Sequence, residues 1–169
     1  MIGVAADRTV PALLQRGTAA LEAGGIETAR PEAEWLLASL LGVERFALYL
    51  DPARRLSTPT VTRYLALIER RAAREPLQYL LGWEDFHGLR LAVTPDVLVP
   101  RPETEGLVEW AVEVLGGRPD PVVADLGTGS GAIACAIARA LPAAEVLADR
   151  KSTRLNSSHI QKSRMPSSA

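Results

Sequence analysis

A short apolar run, Pro121-Val122-Val123-Ala124, passes into Asp125-Leu126-Gly127-Thr128-Gly129-Ser130-Gly131 and then into an amphipathic stretch, Ala132 to Leu141. That order reads as strand, glycine turn, helix. A second apolar run from Glu145 to Ala148 completes a strand–helix–strand unit, and such a unit argues for parallel strands. Glycines at alternate positions remove the Cβ atoms that keep a ligand off the backbone. The helix that follows aims free N–H groups and the positive end of its dipole at an anionic group docked there.

The first 75 residues read as helices instead. Pro11 sits near the start of a segment striped at Val10, Leu14, Gly17 and Leu21, which ends at Gly24-Gly25. Pro31 leads a second helix with Glu32 and Glu34 in its first turn and a stripe of Ala33, Leu36, Leu37, Leu40 and Leu41; Gly42 stops it. A short third helix is expected from Arg45 to Leu50. Thr58-Pro59 opens a fourth, striped at Val61, Tyr64, Leu65, Ile68 and Ala72, whose basic end (Arg70, Arg71, Arg74) reads as a solvated face. The spacing predicts a bundle with its apolar faces inward.

Residues 76–101 are punctuated by Pro76, Gly82, Gly88, Pro95 and Pro100. Trp83–Phe86 and Leu89–Val93 read as two strands of a hairpin about His87-Gly88, with a further extended piece at Asp96–Val99. A helix then runs from Pro102 to about Leu115, striped at Leu107, Val108, Ala111, Val114 and Leu115, with Glu103 and Glu105 at its positive end. Trp35, Trp83 and Trp110 lie in or beside apolar stripes and are expected to pack.

Charge divides the chain. Residues 1–149 hold 14 Arg and no Lys against 20 acids, whereas residues 150–169 hold 3 Arg, 2 Lys, 6 Ser and no acid. Every lysine and the sole asparagine, Asn156, fall in those last residues. The segment has neither helical nor strand period and resembles translated cloning or adapter sequence, so it is expected to be a foreign, disordered tail, and His159 within it takes no role. No apolar run approaches the ~20 residues of a membrane span, and Met1 to Arg8 do not read as a signal peptide. The single cysteine, Cys135, excludes an internal disulfide and suits a reducing cytosol; among Ala134, Ala136 and Ile137 it reads as a core thiol. His87 has no cysteine or second histidine nearby, so no metal site is expected.

The glycine loop suits two kinds of ligand. Gly127-x-Gly129-x-x-Ala132 satisfies the dinucleotide pattern with alanine third. Asp125, two residues before the first glycine, weighs against it. A carboxylate there repels a pyrophosphate and suits a ligand carrying an ammonium and a sulfonium, such as S-adenosyl-L-methionine. Asp125 could equally cap the glycine turn by accepting backbone N–H bonds. Asp149, 18 residues past Gly131, is a candidate for the acid that ends the second strand and accepts ribose hydroxyls.

Three stretches then go together: Pro76-Leu77-Gln78-Tyr79-Leu80-Leu81-Gly82 with Phe86; Val97-Leu98-Val99-Pro100-Arg101-Pro102-Glu103-Thr104-Glu105; and the loop from Asp125 to Gly131 with Ala132-Ile133. In order and spacing they resemble the HemK-type peptide chain release factor N(5)-glutamine methyltransferases, over residues 1 to about 149. The glycine loop is shared by many methyltransferases, and the Pro-Arg-Pro-Glu-Thr-Glu segment is far more restricted.

The resemblance implies an α/β protein: a helical N-terminal domain (1–75), a hairpin linker (76–101), and the start of a doubly wound class I methyltransferase domain (102–149). Gly127, Thr128, Gly129, Ser130 and Gly131 would cradle the methionine end of S-adenosyl-L-methionine, with Asp149 on the ribose. The Arg101 segment would lie beside that pocket, unless Arg101 merely pairs with Glu103 or Glu105. The partner implied is a class I release factor, methylated on the glutamine of its Gly-Gly-Gln loop, in the cytoplasm, by a monomer that touches neither nucleic acid nor membrane. The family's catalytic Asn-Pro-Pro-Tyr does not occur in these 169 residues, so no catalytic residue is assigned and the chain is expected to be inactive. The rival expectations are a non-enzymatic helical protein-binding module, or a piece of another methyltransferase or of a nicotinamide-dependent oxidoreductase.

Overall fold

The computed structural model describes residues 7–149. The segment expected to be a foreign tail, 150–169, lies outside them. The described chain falls into two compact units that divide between Leu81 and Gly82.

The first unit is helical. Helix α1 (Val10–Ala23) packs on α2 (Ala29–Leu41) and α3 (Thr58–Ala72), with a 3-10 turn at Arg45–Tyr49 and a short α4 (Leu77–Leu81). Leu13, Leu14 and Leu21 of α1, Ala33, Leu36 and Leu37 of α2, and Val61, Tyr64 and Ile68 of α3 form one core. Each buried leucine contributes about 1.5–3 kcal/mol relative to exposure. Ser57 caps α3 by accepting the Thr60 N–H at 3.3 Å. Helix α2 starts at Ala29 rather than Pro31. Proline is tolerated at its third position because the first four N–H groups of a helix have no intrahelical partner. Helix α4 was not anticipated: Pro76 accepts the Tyr79 N–H and opens a single turn that the proline-and-glycine punctuation disguised.

The two glutamates of α2 are both buried, which is unusual for acids. The Glu32 carboxylate accepts from Arg71 of α3 and from the Thr28 hydroxyl at 2.7 Å. Arg71 is therefore not part of a solvated face; Arg70 is, pairing with Glu75 at the surface. Glu34 is pushed up by burial, but donors from the Tyr49 hydroxyl, Arg30 Nε at 2.7 Å and Arg45 Nη2 at 2.9 Å outweigh that and hold it below its ordinary value of 4.5. The folded state then binds fewer protons than the unfolded state near that value. The stabilisation is complete above pH 4.5 and is lost as pH falls through the lowered folded value. Melting temperatures recorded from about pH 6 down to about pH 3 should fall more steeply in the native chain than in Glu34→Gln.

The second unit begins with a hairpin. Strands β1 (Trp83–Phe86) and β2 (Leu89–Ala92) pair antiparallel, from Trp83 against Ala92 to Phe86 against Leu89. The turn residues His87 (φ 48°) and Gly88 (φ 72°) both have positive φ, which a two-residue type I′ turn requires. The tip is tied down twice. The His87 N–H donates to Glu105 Oε1 at 2.6 Å, and Arg139 Nη1 donates to the Gly88 carbonyl at 2.6 Å. Asp96–Val99 forms no strand. The Thr94 hydroxyl and carbonyl accept the Asp96 and Val97 N–H groups at 3.4 and 3.1 Å and fold the segment into a turn.

A 3-10 turn, Pro102–Thr104, leads into α5 (Glu105–Leu115), followed by β3 (Val122–Leu126), α6 (Ala132–Ala140) and β4 (Glu145–Asp149). β3 and β4 are parallel, in register from Val122–Glu145 to Leu126–Asp149. Phe86, Val108, Ala132, Ala136 and Ile137 make the core. Helix α5 joins that core through Val108, Ala111 and Val112. Leu107 and Val114 of the expected stripe face outward, and so does Trp110, which is 61% exposed rather than packed. The chain is thus of mixed helix and strand, with a parallel strand pair joined through α6.

Candidate functional site

The glycine turn leaves the end of β3 and returns through α6, so parallel pairing brings the end of β4 beside it. The Asp149 carbonyl accepts from both the Gly127 and Thr128 N–H groups, each at 3.1 Å. Those two amides are therefore committed to holding the turn on β4. The Gly131 N–H donates to the Thr128 carbonyl at 2.8 Å, and the Cys135 N–H to the Gly131 carbonyl at 2.9 Å, so the turn feeds directly into α6.

Gly127, Gly129 and Gly131 have φ of 74°, 57° and 81°, a region in which side-chain-bearing residues are strained. A Cβ on Gly127 would meet nothing within 4 Å, and one on Gly129 would come no nearer than 3.9 Å to another atom, the Gly127 carbonyl oxygen. The backbone of the turn is open to an approaching molecule. Among the described residues, the Gly129 and Ser130 amides have no hydrogen-bond partner. They lie just before α6, whose dipole places partial positive charge there.

Asp125 is half-buried at the end of β3. Its Oδ2 accepts from the Thr128 hydroxyl at 2.6 Å and from the Ala134 N–H at 3.2 Å. The carboxylate thus caps the first turn of α6, as one reading of the sequence had it, while Oδ1 takes no partner among the described residues. Cys135 is half-buried, and its thiol is pushed up by burial and by the Asp125 charge. A thiol so held is a poor nucleophile at neutral pH.

The structure therefore brings Asp125, Gly127, Thr128, Gly129, Ser130, Gly131 and the end of β4 at Asp149 into one locus. Sequence reasoning missed the Asp149 carbonyl. The only signal for it was the strand–helix–strand order, which implies the adjacency without giving the register. Arg101 is exposed and forms no ion pair among the described residues; Glu105 spends its carboxylate on the His87 amide instead. No helix among the described residues is long and apolar enough to cross a membrane.

Comparison with known proteins bears on the chain as a whole. The family model for the PrmC N-terminal domain matches residues 12–82. A release factor glutamine methyltransferase of Geobacter sulfurreducens is 47% identical over 124 residues, 73% of this chain and 43% of that protein. One of Burkholderia pseudomallei is 50% identical over 72% of this chain and 42% of its own length. The human MTRF1L release factor glutamine methyltransferase is 35% identical over 90% of this chain and 48% of its own length. The chain spans a little under half the length of the curated relatives it matches.

Proposed function

We propose, from the premise that this chain is similar to the HemK-type release factor glutamine methyltransferases and carries their N-terminal domain, that its glycine turn is an S-adenosyl-L-methionine site. In this reading residues 102–149 begin a doubly wound methyltransferase domain, the hairpin leads into it, and the helical unit helps hold a class I release factor in the cytoplasm.

The observation that carries the reading is Asp125 at the end of β3, before an open turn whose Gly129 and Ser130 amides have no partner among the described residues. The residues fit the cofactor. Gly129 and Ser130 offer donors for its carboxylate, Asp125 Oδ1 offers an acceptor for its ammonium, and Asp149 stands at the end of β4 for the ribose hydroxyls. A pyrophosphate would bring negative charge against Asp125, which disfavours a nicotinamide dinucleotide. When bound, S-adenosyl-L-methionine supplies an electrophilic methyl on a sulfonium. The protein's part is positioning and electrostatics.

The acceptor proposed is the side-chain amide of glutamine in the Gly-Gly-Gln loop. An amide nitrogen is a weak nucleophile and must be aimed, which in the family falls to Asn-Pro-Pro-Tyr. These 169 residues contain no such motif, so we assign this chain cofactor binding and not transfer.

Calorimetric titration of the full chain should give saturable heat with S-adenosyl-L-methionine and none with NADH. Asp125→Ala should weaken the former about tenfold or more, the loss expected for a charge-assisted hydrogen bond. A methylation assay on a release factor should be blank for this chain and positive for a full-length relative. Binding of NADH with no response to S-adenosyl-L-methionine would overturn the reading. A second reading, a protein-binding helical module, is favoured by the self-contained core of residues 7–81. It is distinguished by release factor capture by a native chain that gives no heat with S-adenosyl-L-methionine.

A further inference from the structure

Both hydrogen-bond donors of Thr128 are spent inside the protein. Its amide donates to the Asp149 carbonyl at 3.1 Å, its carbonyl accepts the Gly131 N–H at 2.8 Å, and its hydroxyl proton goes to Asp125 Oδ2 at 2.6 Å. A threonine hydroxyl has one proton. Once donated, neither the hydroxyl nor the amide is left to meet a ligand's carboxylate. Among the described residues, the amide of Ser130, two residues on, has no partner.

We propose that Thr128 is a positioning residue for Asp125 and that it supplies no donor to the ligand. This deepens the S-adenosyl-L-methionine reading above and rests on it for the identity of the ligand. The hydroxyl and the Ala134 N–H, both on Oδ2, fix the carboxylate as a rigid acceptor. Oδ1 remains for the ammonium of the ligand. Thr128 therefore acts on the amino group through Asp125, while Gly129 and Ser130 act on the carboxylate.

The two halves of that division respond differently to ligand chemistry. Thr128→Val keeps the shape and removes the donor; Thr128→Ser restores it. Calorimetric titration of the full chain with S-adenosylhomocysteine should show Thr128→Val binding about tenfold more weakly than the native chain, by the loss of a charge-assisted hydrogen bond, and Thr128→Ser close to native. With the deaminated analogue, which keeps the carboxylate, the Thr128→Val penalty should vanish. In an Asp125→Ala background, Thr128→Val should add less than a twofold change. A penalty that persists for the deaminated analogue, or that adds fully to Asp125→Ala, overturns the proposal, because Thr128 would then contact the ligand itself.

Melting of the ligand-free chain separates this proposal from the one it rests on. The Thr128→Val and Asp125→Ala shifts in melting temperature should be non-additive, since each removes the same bond. If the native chain binds no S-adenosyl compound, the cofactor reading fails while this coupling still stands. If the shifts add, the Thr128–Asp125 lock is refuted whatever the ligand.

Discussion

Replacing Glu32 with alanine is expected to destabilise the helical unit by about 3 kcal/mol. Glu32 is the buried acceptor for Arg71, which reaches it from α3 and is itself only 16% exposed at its side chain. Removing one partner of a buried pair strands the other charge, at about 3–5 kcal/mol. The lower figure applies because Arg71 keeps some contact with water and a second acceptor, the Glu75 carbonyl at 3.0 Å. Domains of ordinary stability have about 5–15 kcal/mol in total, so the change is a large fraction. Urea unfolding followed by circular dichroism measures it. The double replacement Glu32→Leu with Arg71→Met should recover most of the loss, since exchanging a buried pair for apolar side chains is close to neutral. A loss below about 1 kcal/mol for Glu32→Ala would show that the pair behaves as a solvated surface bridge.

Gly17→Ala is expected to cost about 1–3 kcal/mol, although alanine is the better helix former. A Cβ on Gly17 would sit 2.2 Å from the Tyr64 hydroxyl oxygen and 3.1 Å from Ile68 Cδ1. Tyr64 is fully buried, so its ring has no free volume to retreat into. Burial also keeps its phenol neutral, pushed well above the ordinary tyrosine value. Deleting the hydroxyl removes the nearest obstacle and forfeits only a long hydrogen bond to the Ala33 carbonyl, 3.4 Å. Gly17→Ala in a Tyr64→Phe background should therefore cost much less than in the native chain. Thermal melting of the four proteins gives the coupling. Additive losses would place the strain elsewhere than at Tyr64.

The pattern of apolar residues made most of the elements legible. The stripes on α1, α2 and α3 need only the helical period, and the glycine turn announces itself by its residue types. The hairpin could be read because His87-Gly88 is flanked by short apolar-rich runs. Other features resisted for definite reasons. Glu32 and Glu34 are acids, for which exposure is the ordinary outcome; Arg30 of α2 itself is joined by Arg71 of α3 and by Arg45 and the Tyr49 hydroxyl of the 3-10 turn, and these partners let them be buried. Trp110 and Leu107 have the chemistry of core residues and are exposed because α5 packs through its Val108 side. Asp96–Val99 reads as extended by composition, yet Thr94 offers its backbone a nearer partner.

At the candidate site the division is sharper. Sequence alone picked out the three glycines, because positive φ and a bare backbone are demands on residue type, and made Asp125 a candidate by its charge and its place before them. It could not distribute the hydrogen bonds. Which amides face a ligand and which are consumed depends on where the end of β4 falls, and that is fixed by the parallel register of Leu126 with Asp149. Local residue chemistry determined that a turn of this kind exists. Tertiary pairing decided that the Gly127 and Thr128 amides hold it on β4, while those of Gly129 and Ser130 meet no acceptor among the described residues, because a hydrogen bond is assigned by proximity in space.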